Sequence, residues 1–130
     1  MTTVATTGII DPNTQEGADQ LLDLTARHLE VRGWCRGDMT VHRGERTLNC
    51  LVGGLRYVHH GDGETDEGVA DSVVMRILAD TVQGVEGYGL PEDYVIYWND
   101  QQRDKRKVTR LLRRAARKVR SGQYDNAFAR

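Results

Sequence analysis

The sequence has few of the residues that crosslink a chain or anchor it elsewhere. Of its 130 residues two are cysteine, two are proline and one is phenylalanine. The two cysteines lack C-x-x-C spacing, so they predict neither a disulfide framework nor a zinc ribbon, and we expect both thiols to be reduced. No apolar stretch approaches the roughly 20 residues of a bilayer-spanning helix, and the N-terminus lacks the pattern of a secretion signal. We therefore expect a cytoplasmic protein that contacts no membrane.

Familiar catalytic and metal-binding motifs are also missing. The sequence contains no phosphate-binding glycine loop, no G-x-S-x-G elbow and no H-E-x-x-H helix. The acidic segment 62–67 fails the calcium-loop pattern, because Glu67 stands where glycine is required and Val73 where a bidentate acid is required. Adjacent histidines point about 100° apart on a helix, so His59 and His60 do not complete a zinc site with the cysteines. We expect no metal and no cofactor.

The length fits a single domain with one hydrophobic core. The apolar fraction is 38% and the mean hydropathy is −0.58, which indicates a modest core with chain ends outside it. We predict a flexible N-terminal tail over residues 1–12, one helical domain over 13–120 and a flexible C-terminal tail over 121–130.

Hydrophobic spacing predicts several helices. The first begins at an Asn13 and Glu16 capping box and ends at Gly33. Further helices are predicted from Cys50 to His60, from Thr65 or Asp66 to about Gln83, after Pro91, and from about Asp104 to residue 120. The predicted fold is mainly α, a compact single domain of four to five helices with one short β-hairpin.

The hairpin is predicted between Met39 and Cys50, with Gly44 and Glu45 as the central turn residues. This register sets Val41 opposite Leu48 on an apolar side. On the other side of the hairpin, which we expect to face outward, this register places Thr40, His42, Thr47 and Asn49.

Three short blocks resemble an uncharacterised family of small proteins from actinobacteria and their phages. The blocks are Gly33-Trp34-Cys35-Arg36-Gly37, Cys50-Leu51-Val52-Gly53-Gly54-Leu55 and Trp98-Asn99-Asp100. They are similar to the W-C-x-G, C-L-x-G-A-L and W-N-D patterns of that family, with Gly54 in place of the usual alanine. The resemblance implies a shared fold from about Leu21 to Ala116 and a phage or actinobacterial setting, and it implies no reaction.

Most residues of these blocks have a structural interpretation. We expect Trp98 to fill the core, and Asn99 or Asp100 to hydrogen-bond backbone groups across the turn into the last helix. Gly53 and Gly54 would permit a close backbone approach. Cys35 and Cys50 are weak candidates for a catalytic thiol, since a free cysteine more often behaves as a small buried apolar residue. The residues of these blocks that we expect to have a structural role are Trp34, Cys35, Cys50, Gly53, Trp98, Asn99 and Asp100.

Charge is strongly segregated along the chain. Residues 1–100 carry 7 basic and 17 acidic residues, whereas residues 101–130 carry 11 basic and 2 acidic ones. The last predicted helix is amphipathic, and its polar side is crowded with cations that repel one another. The candidate contact residues are Arg103, Arg106, Lys107, Arg110, Arg113, Arg114, Arg117, Lys118 and Arg120.

Either the acidic body neutralises this helix or an external polyanion binds it. We expect a non-catalytic binding or regulatory module, phage-encoded or actinobacterial, that contacts nucleic acid through the C-terminal helix. The alternative is a protein-interaction module, host-directed or oligomeric, in which the same helix meets an acidic partner. A second alternative is a thiol-dependent enzyme.

Overall fold

The fold is built from helices that are joined by short turns and one hairpin. A computed structural model describes residues 10–61, 68–82 and 90–128. Within these ranges the elements are α1 (Gln15–Arg32), β1 (Thr40–Arg43), β2 (Arg46–Asn49), α2 (Leu51–His60), α3 (Val73–Val82), α4 (Pro91–Gln101), α5 (Lys105–Arg120) and α6 (Asp125–Phe128). The protein is a compact single domain, mainly helical with one two-stranded antiparallel hairpin, as the sequence predicts.

Helix α1 begins one residue later than its predicted cap. Thr14 is the N-cap, and its hydroxyl accepts a hydrogen bond from the Gly17 amide at 3.0 Å. The predicted capping box at Asn13 is therefore wrong. The Asn13 side chain instead accepts from the Val73 amide at 2.9 Å, so it caps α3 across the molecule. Gly33 ends α1 with a φ of 120°, as predicted.

The hairpin has the predicted register, with Val41 opposite Leu48. Gly44 adopts a φ of 62°, which suits the two-residue turn. The prediction that Asn49 faces outward is wrong, because its side chain is fully buried. Trp34 forms a parallel β-bridge with Asn49. The segment after α1 therefore covers the end of β2, which would be exposed to solvent in an isolated hairpin.

Helix α2 packs its first turn tightly against the hairpin. The Cys50 sulfur accepts from the Gly53 amide at 3.3 Å, and Gly61 ends the helix in a left-handed conformation. A Cβ atom at Gly53 would overlap the carbonyl oxygen of Met39, whereas one at Gly54 would lie 3.1 Å from a Leu29 methyl carbon. The close approach predicted for this glycine pair is therefore made by Gly53.

Helix α3 is shorter than predicted and begins at Val73, because Ser72 caps it. The Ser72 hydroxyl accepts from the Met75 amide at 3.2 Å. The predicted caps Thr65 and Asp66, and the predicted end at Gln83, lie outside the described residues. Helix α4 starts at Pro91 as predicted. An ion pair of 2.7 Å between Arg56 on α2 and Glu92 on α4 joins these helices in a largely buried place.

Helix α5 docks on α1 through the predicted apolar stripe, all of which is buried. The stripe consists of Val108, Leu111, Leu112, Ala115, Ala116 and Val119. The packing continues towards both described ends of the chain, since Ile10 is buried and the Tyr124 hydroxyl donates to Asp80 at 2.6 Å. Residues 125–128, which the sequence analysis assigns to a flexible tail, form the short helix α6. None of the helices described is long and apolar enough to cross a bilayer.

Substitution of the two neighbouring glycines in α2 should have very different effects. We expect Gly53→Ala to lower the free energy of unfolding by about 1–3 kcal/mol, because the added methyl must displace backbone at Met39. Gly54→Ala is the matched control. Its methyl meets side-chain atoms of Leu29 and Thr25 at 3.1 and 3.3 Å, with no backbone overlap, and it gains helix propensity, so we expect a change within about 1 kcal/mol. Urea unfolding followed by circular dichroism measures both, and equal losses would contradict this account.

Candidate functional site

Helix α5 divides its cations between two surfaces. Arg113 and Arg120 lie beside α1 and form the inner flank. Lys105, in the first turn, donates to the Glu30 carbonyl at 3.4 Å. The other six cations of the helix lie opposite the apolar stripe or on the flank away from Arg113 and Arg120. We call these residues the outer face: Arg106, Lys107, Arg110, Arg114, Arg117 and Lys118.

The inner flank is neutralised by carboxylates of α1. Arg113 lies 2.8 Å from Glu30 and 3.6 Å from Asp23. Arg120 lies 3.0 Å from Asp23 and also pairs with Asp19. All five side chains of these ion pairs retain substantial solvent exposure. Each ion pair therefore stabilises the fold by about 1 kcal/mol or less. The hydrogen bond to Asp23 raises the pKa of Arg120, and the network neutralises the flank of α5 that the buried stripe sets against α1.

The outer face remains open to solvent. Arg110, Arg114 and Arg117 are exposed, and no carboxylate in the described parts of the chain pairs with them. Arg106 pairs at 3.5 Å with Asp104, the N-cap of the same helix. Arg103 precedes the helix and is exposed. The structure therefore neutralises two of the nine predicted contact residues through the body and leaves a continuous cationic surface on the others.

An open depression of about 600 Å³ lies along α5, and its wall combines Trp98, cations of the outer face and the inner-flank pair Arg113 and Glu30. Trp98 is partly exposed and packs at the edge of the core, so the prediction that it fills the core is wrong. It stands at the end of α4 and shares the depression with Lys107, Arg110 and Arg114. An aromatic ring thus lies among the cations, which the sequence analysis missed because α4 and α5 were considered separately.

The buried residue of the W-N-D block is Asn99. Its Oδ1 atom accepts from the indole nitrogen of Trp34 at 2.7 Å and from the Leu51 amide at 3.0 Å. Its amide nitrogen donates to the Cys35 carbonyl at 3.4 Å. All three blocks that carry the family resemblance therefore meet at one side chain. The predicted backbone hydrogen bonds exist, but they reach distant segments and do not cross the turn into α5.

The side chain of Asn49 is a second buried amide with several hydrogen bonds. The Asn49 side chain donates to the Met39 carbonyl and the Thr40 hydroxyl, and its oxygen accepts from His28 at 2.8 Å. Burial lowers the pKa of His28, which favours the neutral ring that donates this bond. Asp100 extends the network by accepting from the Gly37 amide at 2.9 Å.

Neither cysteine has the surroundings of a reactive thiol. The Cys35 sulfur donates to the Asp38 carbonyl at 3.3 Å, and burial raises its pKa to about 12. Burial also raises the pKa of Cys50, whose sulfur is used as the N-cap of α2. A thiolate is the reactive form, so both environments oppose nucleophilic chemistry near neutral pH.

The residues once considered as zinc ligands are far apart. Cys50 and His59 stand at opposite ends of α2, and its ten residues span about 15 Å. His59 and His60 instead contact each other, with ring nitrogens 3.0 Å apart. Within the described ranges no three side chains of the kinds that bind metals are grouped together.

Removal of the Asn99 side chain should be strongly destabilising. We expect Asn99→Ala to lower the free energy of unfolding by about 2–5 kcal/mol, because the Trp34 indole and the Leu51 amide lose a buried acceptor. Gln101→Ala on the exposed side of the same helix is the control, with an expected change within about 0.5 kcal/mol. Chemical denaturation measures both. A loss below 1 kcal/mol for Asn99→Ala would show that water replaces its hydrogen bonds.

Both thiols should react slowly in the folded protein. With iodoacetamide at pH 7.5 we expect alkylation of Cys35 and Cys50 on the order of 100-fold slower than in the urea-unfolded chain, because the raised pKa suppresses the thiolate. Peptide mass spectrometry over time gives each rate. Folded-state alkylation of either cysteine at the unfolded rate would favour the thiol-enzyme alternative.

The comparisons with known proteins support membership of an uncharacterised family and add no activity. No curated protein and no solved structure matches the chain significantly. One family matches residues 13–118, which run from the start of α1 almost to the end of α5 and include all three motif blocks. The chain therefore belongs to the family of unknown function DUF6197.

Proposed function

We propose that the protein is a non-catalytic module that binds nucleic acid through the outer face of α5. The observation that carries the proposal is the exposed row formed by Arg110, Arg114 and Arg117, which the carboxylates described in the structure leave unpaired. A cationic surface without an internal counter-charge is suited to a polyanion.

The dimensions of the outer face fit a phosphate backbone. From Lys107 to Lys118 the helix advances about 16 Å at 1.5 Å per residue. Phosphates of one strand of B-DNA are about 3.4 Å apart along the axis, so several lie within that length. Arginine binds phosphate through two parallel hydrogen bonds, which suits the arginines of this face better than an isolated point charge would.

The acidic body restricts where a nucleic acid can bind. Asp19, Asp23 and Glu30 border α5 on the α1 side and retain exposed oxygen atoms. They repel phosphate there while they neutralise the inner flank. Phosphate contact is therefore favoured on the side of α5 that lies away from these carboxylates, although Glu30 also borders the depression beside Trp98.

We extend the proposal to a cytoplasmic setting in an actinobacterium or one of its phages. This part rests on the motif resemblance and on the reduced, unpaired cysteines. Nucleic acid is the most abundant polyanion in such a setting. The described site offers no activated nucleophile. Any regulatory effect would therefore come from the protein's binding to the nucleic-acid strand and not from a reaction on it.

Removal of three outer-face charges should weaken binding strongly. We expect Arg110→Gln, Arg114→Gln and Arg117→Gln together to weaken binding to a random-sequence oligonucleotide at least about 30-fold at low salt, since three phosphate contacts are lost. The wild-type Kd should also rise steeply with salt, with a slope of log Kd against log salt concentration of up to about +5 if all six outer-face cations contact phosphates. Fluorescence anisotropy at two or more salt concentrations measures both quantities.

The matched control removes the same charge elsewhere. Arg27, Arg43 and Arg76 are exposed and lie outside α5, so Arg27→Gln, Arg43→Gln and Arg76→Gln together should change Kd less than about threefold. No binding of DNA or RNA at low salt would contradict the proposal. Binding of polyglutamate through the same three arginines, without nucleic-acid binding, would favour the acidic-protein alternative.

A further inference from the structure

We infer that the nucleic acid is single-stranded and that Trp98 and Tyr97 provide stacking surfaces for its unpaired bases. This inference rests on the proposed function and specifies its substrate class. It comes from the placement of Trp98, near the end of α4, in the same depression as cations of the outer face, with Tyr97 as its exposed neighbour in the chain.

Trp98 is placed where a base would follow a bound phosphate. Its ring borders the same depression as Lys107, Arg110 and Arg114. A purely electrostatic partner would gain nothing from an indole at this position. A strand with exposed bases would gain from it, because bases stack on aromatic rings while the neighbouring phosphates pair with cations.

Tyr97 precedes Trp98 in the chain and is a second exposed aromatic residue. Its side chain is 62% exposed, one of the largest exposures of an apolar or aromatic residue in the described chain. Exposed aromatic rings on a helix whose Trp98 borders a cationic depression fit a partner that carries flat apolar groups and negative charge together.

Duplex nucleic acid fits this arrangement less well. In a duplex the flat faces of the bases are covered by their neighbours in the stack, and a protein meets their edges. Trp98 and Tyr97 could then make no stacking contact without unwinding the helix. Single strands expose these faces, so the same cations and rings can act together.

The aromatic surface is held rigidly. Asn99 follows Trp98 directly, and its buried hydrogen bonds fix the end of α4 against Trp34 and Leu51. Gln102 donates to the Trp98 carbonyl at 3.0 Å and secures the next turn. A fixed backbone at Trp98 reduces the conformational entropy that is lost when a base stacks on its ring, which favours binding.

Three labelled probes test the inference with the intact protein: oligothymidylate, oligouridylate and a mixed-sequence duplex, each of about 20 nucleotides per strand. We expect both single strands to bind at least about tenfold more tightly than the duplex. We also expect Trp98→Leu to weaken single-strand binding about tenfold or more, with Trp98→Phe within about threefold of wild type. A preference for one single strand over the other would identify DNA or RNA as the ligand.

Tyr97→Leu provides a second variant, since an exposed side chain can be replaced with little effect on folding. We expect it to weaken single-strand binding several-fold, while Val31→Ala, which alters another exposed apolar residue on α1, leaves Kd unchanged. Duplex binding as tight as single-strand binding, or wild-type affinity in both leucine variants, would overturn this inference and leave the proposed function standing. Failure of all three probes to bind would overturn both.

Discussion

The Asn99 side chain is the point where three distant segments of the chain are joined. It accepts hydrogen bonds from the Trp34 indole and the Leu51 amide and donates to the Cys35 carbonyl. Buried polar groups need such partners, because each unsatisfied one costs about 1–3 kcal/mol. The start of α2, the turn after α1 and the end of α4 therefore have mutually dependent positions, and an apolar residue at position 99 could not maintain them.

This constraint determines the geometry of the surface that we propose binds nucleic acid. Once α4 is fixed at Asn99, Trp98 has one place to lie, and α5 must begin within a few residues of it. The apolar stripe of α5 then meets α1, and its two sides acquire different surroundings. Arg113 and Arg120 come within reach of α1 carboxylates, whereas the outer face turns towards solvent beside Trp98. The distribution of charge is thus a consequence of packing in the core.

Local patterns in the sequence predict the elements and the hairpin register, but they do not predict contacts between distant segments. The spacing of the apolar residues places α5 correctly, and the Gly44 turn fixes the pairing of Val41 with Leu48. Asn13 and Asn49 are predicted wrongly for one reason: each side chain bonds to a segment far along the chain, namely α3 and α1. The division of the cations into two groups could not be predicted either, because it depends on which side of α5 lies against α1.

The outer face is not required for the stability of the fold. Its like-charged pairs four residues apart, Arg106 with Arg110, Arg110 with Arg114 and Arg114 with Lys118, together cost about 1 kcal/mol. The buried stripe holds the helix against this repulsion, since burial of each larger apolar side chain contributes about 1.5–3 kcal/mol. Neutral residues with good helix propensity at these positions would give a more stable helix. This surface costs stability and borders Trp98, and among the described carboxylates only Asp104 pairs with it, through Arg106. Ligand binding is the explanation that we propose for its retention.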